Sequence, residues 1–155
     1  MISKGDIKLS RFLLAALLTA ASPAFAQQCE VTIGSTDQMT YLQDQISVSR
    51  SCKQFTVTLQ HTGRTPAAAM GHNWVLSKTS DVQGIATDGI AAGSANSFLK
   101  TGDARIIAHT RLIGGGESAN VTFNVNELSP DENYTFFCSF PGHSVLMKGQ
   151  LKLVD

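Results

Sequence analysis

The sequence predicts an all-β protein, a two-sheet sandwich of about eight strands with one short inserted helix. Three observations predict it. Apolar and polar residues alternate in short runs, as half-buried strands require. Segments rich in Gly, Pro, Asp and Asn, such as LIGGGES and SPDEN, separate those runs as turns. A single stretch, SDVQGIATDGIAAG, carries apolar side chains at helical spacing instead.

The elements follow in chain order. EVTIGS turns Val31 and Ile33 to one face, QISVS does the same with Ile46 and Val48, and QFTVTLQ with Phe55, Val57 and Leu59. NWVLS forms the next strand. The helix then places Val82, Ile85, Ala86, Gly89 and Ile90 on one side behind Ser80 as its N-cap, and covers one side of the sandwich. RIIAHT, NVTFNVN (Val121, Phe123, Val125), NYTFFC and GQLKLV (Leu151, Leu153) complete the strands. No internal repeat, low-complexity tract or linker divides them.

Lys4, Lys8 and Arg11 precede the apolar run FLLAALLTAA, which ends near the small-residue signature Ala24-Phe25-Ala26. This is the pattern of a secretory signal peptide over residues 1–26, removed before Gln27. The run is half of the ~20 apolar residues that a membrane-spanning helix needs. The mature chain, 27–155, is therefore expected in the periplasm as one domain with no membrane span. It keeps nine of the twelve basic and eleven of the twelve acidic residues, a balance of −2. With no basic run or face, it carries no nucleic-acid footprint, and its near-neutral charge argues against a partner chosen mainly by charge.

Three cysteines in an exported chain leave one thiol without an intrachain partner. Three single pairings are possible. Cys29 and Cys52 are both remote from the segment CSFPGHSVLM, and a bridge between them would close a loop of about 23 residues, a constraint of roughly 3 kcal/mol. That pairing leaves Cys138 free. The bland role for a lone cysteine is a small buried hydrophobe, but its neighbours offer another. Four residues separate Cys138 from His143 and three separate His143 from Met147, while Pro141-Gly142 prevents a simple helix between the first two. A strand end, a tight loop and the start of the next strand can turn the three side chains toward one point.

Thiolate and thioether are soft donors suited to copper, whereas zinc more often recruits a second cysteine or another histidine. A fourth donor has to come from elsewhere in the chain. His72, in MGHNW, stands beside a glycine whose backbone can approach a bound atom, and the residues alone leave it open between a ligand and an ordinary loop histidine. His61 and His109 read as structural or surface residues.

The segments DQMTY, SCKQFTV, MGHNWVLS, TDGI, IAHTRLIGGGES, VTF and FFCSFPGHSVLMKG together resemble the azurins, periplasmic blue-copper proteins of the Greek-key cupredoxin fold. The likeness spans essentially all of residues 27–155. It implies a single copper ion held by His72, Cys138 and His143 in a trigonal plane, with Met147 as a long axial thioether and the Gly71 carbonyl opposite. It implies that the backbone amides of Asn73 and Phe140 bond the Cys138 sulfur, that Trp74 is a core tryptophan, and that His61 sits beside the site. It further implies one-electron exchange with redox proteins such as c-type cytochromes and periplasmic reductases or dehydrogenases, by a monomer or weak transient dimer. Met39, Met70, Pro141, Val145 and Leu146 are then expected on an apolar docking patch around the His143 ring, although their simpler role is the core at the sandwich end.

Two other functions fit part of the pattern. A Cys138–His143 nucleophile and base leaves Met147 without a role and lacks an orienting group, so the chain is not expected to be an enzyme. A periplasmic copper carrier would use the same soft donors without needing reversible redox cycling.

Overall fold

The computed structural model describes residues 28–155, and the signal peptide expected at 1–26 lies outside the described residues. The strands are β1 (Glu30–Thr36), β2 (Thr40–Tyr41), β3 (Gln45–Ser49), β4 (Gln54–His61), β5 (Val75–Lys78), β6 (Ile106–His109), β7 (Ser118–Asn124), β8 (Tyr134–Phe137) and β9 (Lys148–Val154). The helices are α1 (Ala67–Met70) and α2 (Val82–Ala92). All eight predicted strands form. β2 and α1 have no counterpart in the sequence reading, because two residues and a single turn are too short to show a period.

One sheet runs β2-β1-β4-β7 and the other β3-β9-β8-β5-β6. β1 pairs parallel with β4 and β3 parallel with β9, and the remaining pairs are antiparallel. The two inner faces meet over Ile33, Val48, Phe55, Leu59, Trp74, Leu76, Phe123 and Phe136, all buried. Burying an aliphatic or aromatic side chain of this size contributes about 1.5–3 kcal/mol. The Trp74 indole stacks between Phe123 and Phe136 at centroid distances of 6.2 and 5.9 Å. Its buried N–H has no hydrogen-bond partner among the described residues, so Trp74 serves packing. At the far end of the sandwich the predicted Cys29–Cys52 disulfide joins the start of β1 to the turn before β4.

The helix forms where predicted, with two corrections. Ser80 is not its cap. Thr79–Asp81 make a 3-10 turn that leads into α2, and the capping position falls to Asp81 at φ −94°, ψ −16°, with no side-chain bond. An effective N-cap needs extended backbone so that its side chain can reach back to the first amides, and this entry supplies none. Ile90 is 60% exposed, because at 100° per residue it lies about 90° from the centre of the stripe formed by Val82, Ile85, Ala86 and Gly89. Ile85 and Ala86 pack with Val75, Phe137 and Leu99 into a second apolar cluster on the outer face of the five-stranded sheet.

The register of that sheet positions the site. β8 lies between β5 and β9, antiparallel to both, with Val75 opposite Phe137 and Phe137 opposite Lys148. The residues just before β5, just after β8 and just before β9 therefore emerge at one end of the sandwich. Those residues are His72-Asn73, Cys138 and Met147.

Candidate metal centre

His72, Cys138 and Met147 lie just outside the strands that place them, and His143 begins a 3-10 turn, His143–Val145. His72 makes a lone bridge with Ile113, exchanging backbone bonds of 2.9 and 2.8 Å. Cys138 continues the β8–β9 ladder by donating its amide to the Met147 carbonyl at 3.0 Å. Between them the chain turns at Gly142, whose φ of 84° suits glycine. The turn closes with His143 N–H to the Phe140 carbonyl at 2.9 Å and Met147 N–H to the His143 carbonyl at 2.8 Å. The Pro141-Gly142 break thus folds His143 back over Cys138.

The side chains converge. Cys138 Sγ lies 3.6 Å from His143 Nδ1, 3.9 Å from His72 Nδ1 and 3.8 Å from the Gly71 carbonyl oxygen. One donor atom from each of His72, Cys138 and His143 falls within 4.8 Å of the others, and all three residues are buried. Met147, whose carbonyl accepts the Cys138 amide, is wholly buried. The His72 ring donates from Nε2 to the Thr36 carbonyl at 2.8 Å, which leaves the Nδ1 lone pair facing the sulfur. A buried thiol and two imidazole nitrogens turned toward one point fit a copper ion, and among the described residues no further cysteine, histidine or carboxylate joins the three to close a zinc site.

Electrostatics agree with that donor set. Burial pushes the Cys138 thiol up to about 11, opposed by backbone amides of Asn73 and Phe140 directed at the sulfur. Burial, with His72 as the lesser cause, pushes the His143 imidazole down to about 4, and burial also lowers His72. At neutral pH the metal-free site therefore holds a neutral thiol and two neutral imidazoles. Metal entry has to expel the thiol proton.

A polar clamp joins the two donor segments. The Asn73 side chain accepts from the Ser139 amide at 2.9 Å and donates to Ser139 Oγ at 2.7 Å and to the Ser97 carbonyl at 3.0 Å. Tyr41 donates its hydroxyl to the Asn73 carbonyl at 2.6 Å. An added Cβ at Gly71 would sit 2.5 Å from the Ala67 carbonyl oxygen and 2.8 Å from the Leu112 side chain, so the residue before His72 has room only for hydrogen.

His61 is buried and stacks on the His72 ring, with centroids 4.4 Å apart and planes 13° from parallel. Its Nδ1 accepts from the Gly63 amide at 3.0 Å, so its proton is on Nε2, which points at the Met70 carbonyl 3.3 Å away. The alternation Phe55, Val57, Leu59, His61 on the inward face of β4 carried the signal for this burial. His109 is exposed and takes no part in the cluster. Around the site Val145 and Leu146 are 65% and 69% exposed, Pro141 is exposed, and Met39, Met70 and Phe140 are half-buried. Ser139 and Ser97 were not singled out by the sequence, because nothing in local spacing marks a side chain or carbonyl that bonds across the fold.

The family model "Copper binding proteins, plastocyanin/azurin family" matches residues 27–154. The chain is 56% identical to the azurin of Bordetella pertussis over 142 residues, which is 92% of this chain and 95% of that one. It is 53% identical to the azurin of Pseudomonas aeruginosa over 146 residues, 94% and 97% of the two chains. The solved azurin Az-iso2 of the obligate methylotroph Methylomonas sp. strain J aligns with a TM-score of 0.81 at 51% identity, over 83% of this chain and all of that one.

The histidine shifts have a signed consequence for the metal-free protein. His143 lies at about 4 when folded against 6.5 otherwise, so on acidification the unfolded chain takes up its proton first. The stability contributed is complete above about pH 6.5 and is lost as pH falls through 4, a difference on the order of 3 kcal/mol for this residue. Urea midpoints of copper-free protein should fall over that interval, and His143→Gln should flatten the fall. A wild-type midpoint that stays level from pH 6.5 to 4 contradicts a neutral, buried site.

Proposed function

The chain belongs to the plastocyanin/azurin family of copper-binding proteins, and on that basis we propose that it is a periplasmic blue-copper protein that shuttles single electrons between redox partners. The observation that carries the proposal is the convergence of Cys138 Sγ with the Nδ1 atoms of His72 and His143 at a buried sandwich end. Residues 1–26 act as a signal peptide that is removed, and 27–155 form the copper-binding domain.

His72, Cys138 and His143 would hold the ion, with the Met147 thioether and the Gly71 carbonyl as weaker donors. When bound, copper supplies a one-electron Cu(I)/Cu(II) couple. The protein's part is positional. Thr36 fixes the His72 ring, the Pro141-Gly142 turn fixes His143, and the strand ladder fixes Cys138, so the donors need little rearrangement between oxidation states. The amides of Asn73 and Phe140 withdraw charge from the sulfur and help set the potential.

Met39, Met70, Pro141, Val145 and Leu146 form the docking patch in this reading, supported by the exposure of Val145 and Leu146 beside His143. An apolar surface permits brief docking without strong charge steering, which suits c-type cytochromes and periplasmic reductases or dehydrogenases. The chain acts as an electron carrier, not as an enzyme.

Copper-loaded protein should be intensely blue, lose the band on one-electron reduction and regain it with its copper retained. Cys138→Ser should abolish the colour. Met147→Leu should keep the band and raise the potential, because the lost thioether stabilises the oxidised ion more than the reduced one. A blue Cys138→Ser protein, or release of copper on each cycle, contradicts the assignment, and the second outcome favours a copper carrier.

The patch is tested separately with Val145→Lys. Stopped-flow transfer to a c-type cytochrome should slow by about tenfold, with the visible spectrum and folding midpoint unchanged. A wild-type rate at matched ionic strength would mean that electrons leave by another surface.

A further inference from the structure

Two consecutive non-glycine residues, Ser97 and Phe98, hold left-handed backbone at φ 55° and 53°. They lie in the connection between α2 and β6, outside both segments that carry the metal donors. L-residues avoid this region because Cβ crowds the following carbonyl oxygen. Two in succession persist only where their surroundings over-determine them, and here the surroundings are those of the metal centre.

The conformation turns the Ser97 carbonyl inward, where it accepts from Asn73 Nδ2 at 3.0 Å and from Ser139 Oγ at 2.8 Å. Asn73 follows His72 and Ser139 follows Cys138, so one oxygen ties both donor segments. Ser97 Oγ accepts from the Leu112 amide at 3.1 Å, and the Leu112 side chain, together with the Ala67 carbonyl, crowds Gly71. The Phe98 ring stands edge-on to Phe140 at 5.1 Å, and Phe140 packs on the His143 ring at 4.6 Å. The Phe98 carbonyl lies against Gly89 of α2, where a Cβ would collide with it. The pair is thereby braced from behind by the helix.

We propose that Ser97–Phe98 is a positioning element for electron transfer, a brace outside the ligand loops that holds the His72, Cys138 and His143 segments in one arrangement in both oxidation states. The inference rests on the copper reading of the site. Relaxing the brace gives the donors more freedom to shift when the charge changes, so electron exchange slows although every donor remains.

The test uses the copper-loaded mature protein with Ser97→Gly combined with Phe98→Leu. Glycine accepts the left-handed backbone without its cost but removes the Leu112 acceptor, and leucine keeps apolar volume but loses the ring edge facing Phe140. Electron self-exchange should be about tenfold slower in a variant that remains folded and blue, and the Cu(II) hyperfine coupling in electron paramagnetic resonance should change. The hyperfine coupling separates positioning from docking, since a surface effect alone would slow exchange and leave it unaltered. If the double variant does not fold, Phe98→Leu alone is measured by the same two readouts with the same expected directions. Wild-type exchange and an unaltered coupling in a folded, blue variant would overturn the positioning role while the copper reading stands. A wild-type protein with no blue band would overturn both.

Discussion

The reciprocal bonding of Asn73 to Ser139 is the interaction on which the site depends. One buried carboxamide accepts from the Ser139 backbone and donates to its hydroxyl, so the segment carrying His72 cannot move independently of the segment carrying Cys138. Such a contact is effective because both groups are fully buried. Breaking it leaves polar atoms with no water to replace their partners, at a cost of about 1–3 kcal/mol each. The neighbours of Asn73 extend the constraint, since Tyr41 holds its carbonyl and Trp74, the next residue, is the centre of the aromatic core. The metal end is thus continuous with the hydrophobic interior.

Much of this was legible because it is written in short-range patterns. Period-two alternation marked β1, β3, β4, β7 and β9, short apolar runs marked β5, β6 and β8, and the remoteness of Cys29 and Cys52 from CSFPGHSVLM led to the disulfide that forms. The spacing of Cys138, His143 and Met147 around Pro141-Gly142 identified the loop. His72 was different. Its own surroundings left it open, and only the likeness to a family chose between ligand and loop residue. What escaped was either too short to have a period, as with β2 and α1, or was decided across the fold. The Ser97 carbonyl gathers bonds from residues 24 and 42 positions away, and no local spacing encodes that. The helix cap failed for a related reason, because Ser80 is a suitable residue type but the backbone enters α2 through a 3-10 turn.

The same burial that organises the donors sets their charge. With the thiol pushed up and both imidazoles pushed down, the metal-free centre is electrically neutral and compatible with an apolar sandwich end. Copper arrives at donors already oriented, and loading is coupled to loss of the Cys138 proton. In the proposed reading, such a site would favour one-electron exchange because the fold would maintain the donor arrangement while the charge on the ion changes.

That claim is tested most directly by X-ray absorption at the copper edge in the oxidised and the reduced protein. The account predicts the same short-range shell in both states, two imidazole nitrogens and one thiolate sulfur, with only slight changes in distance. Loss of an imidazole on reduction, or entry of a water oxygen on oxidation, would show that the ion and not the fold sets the geometry, and would contradict it.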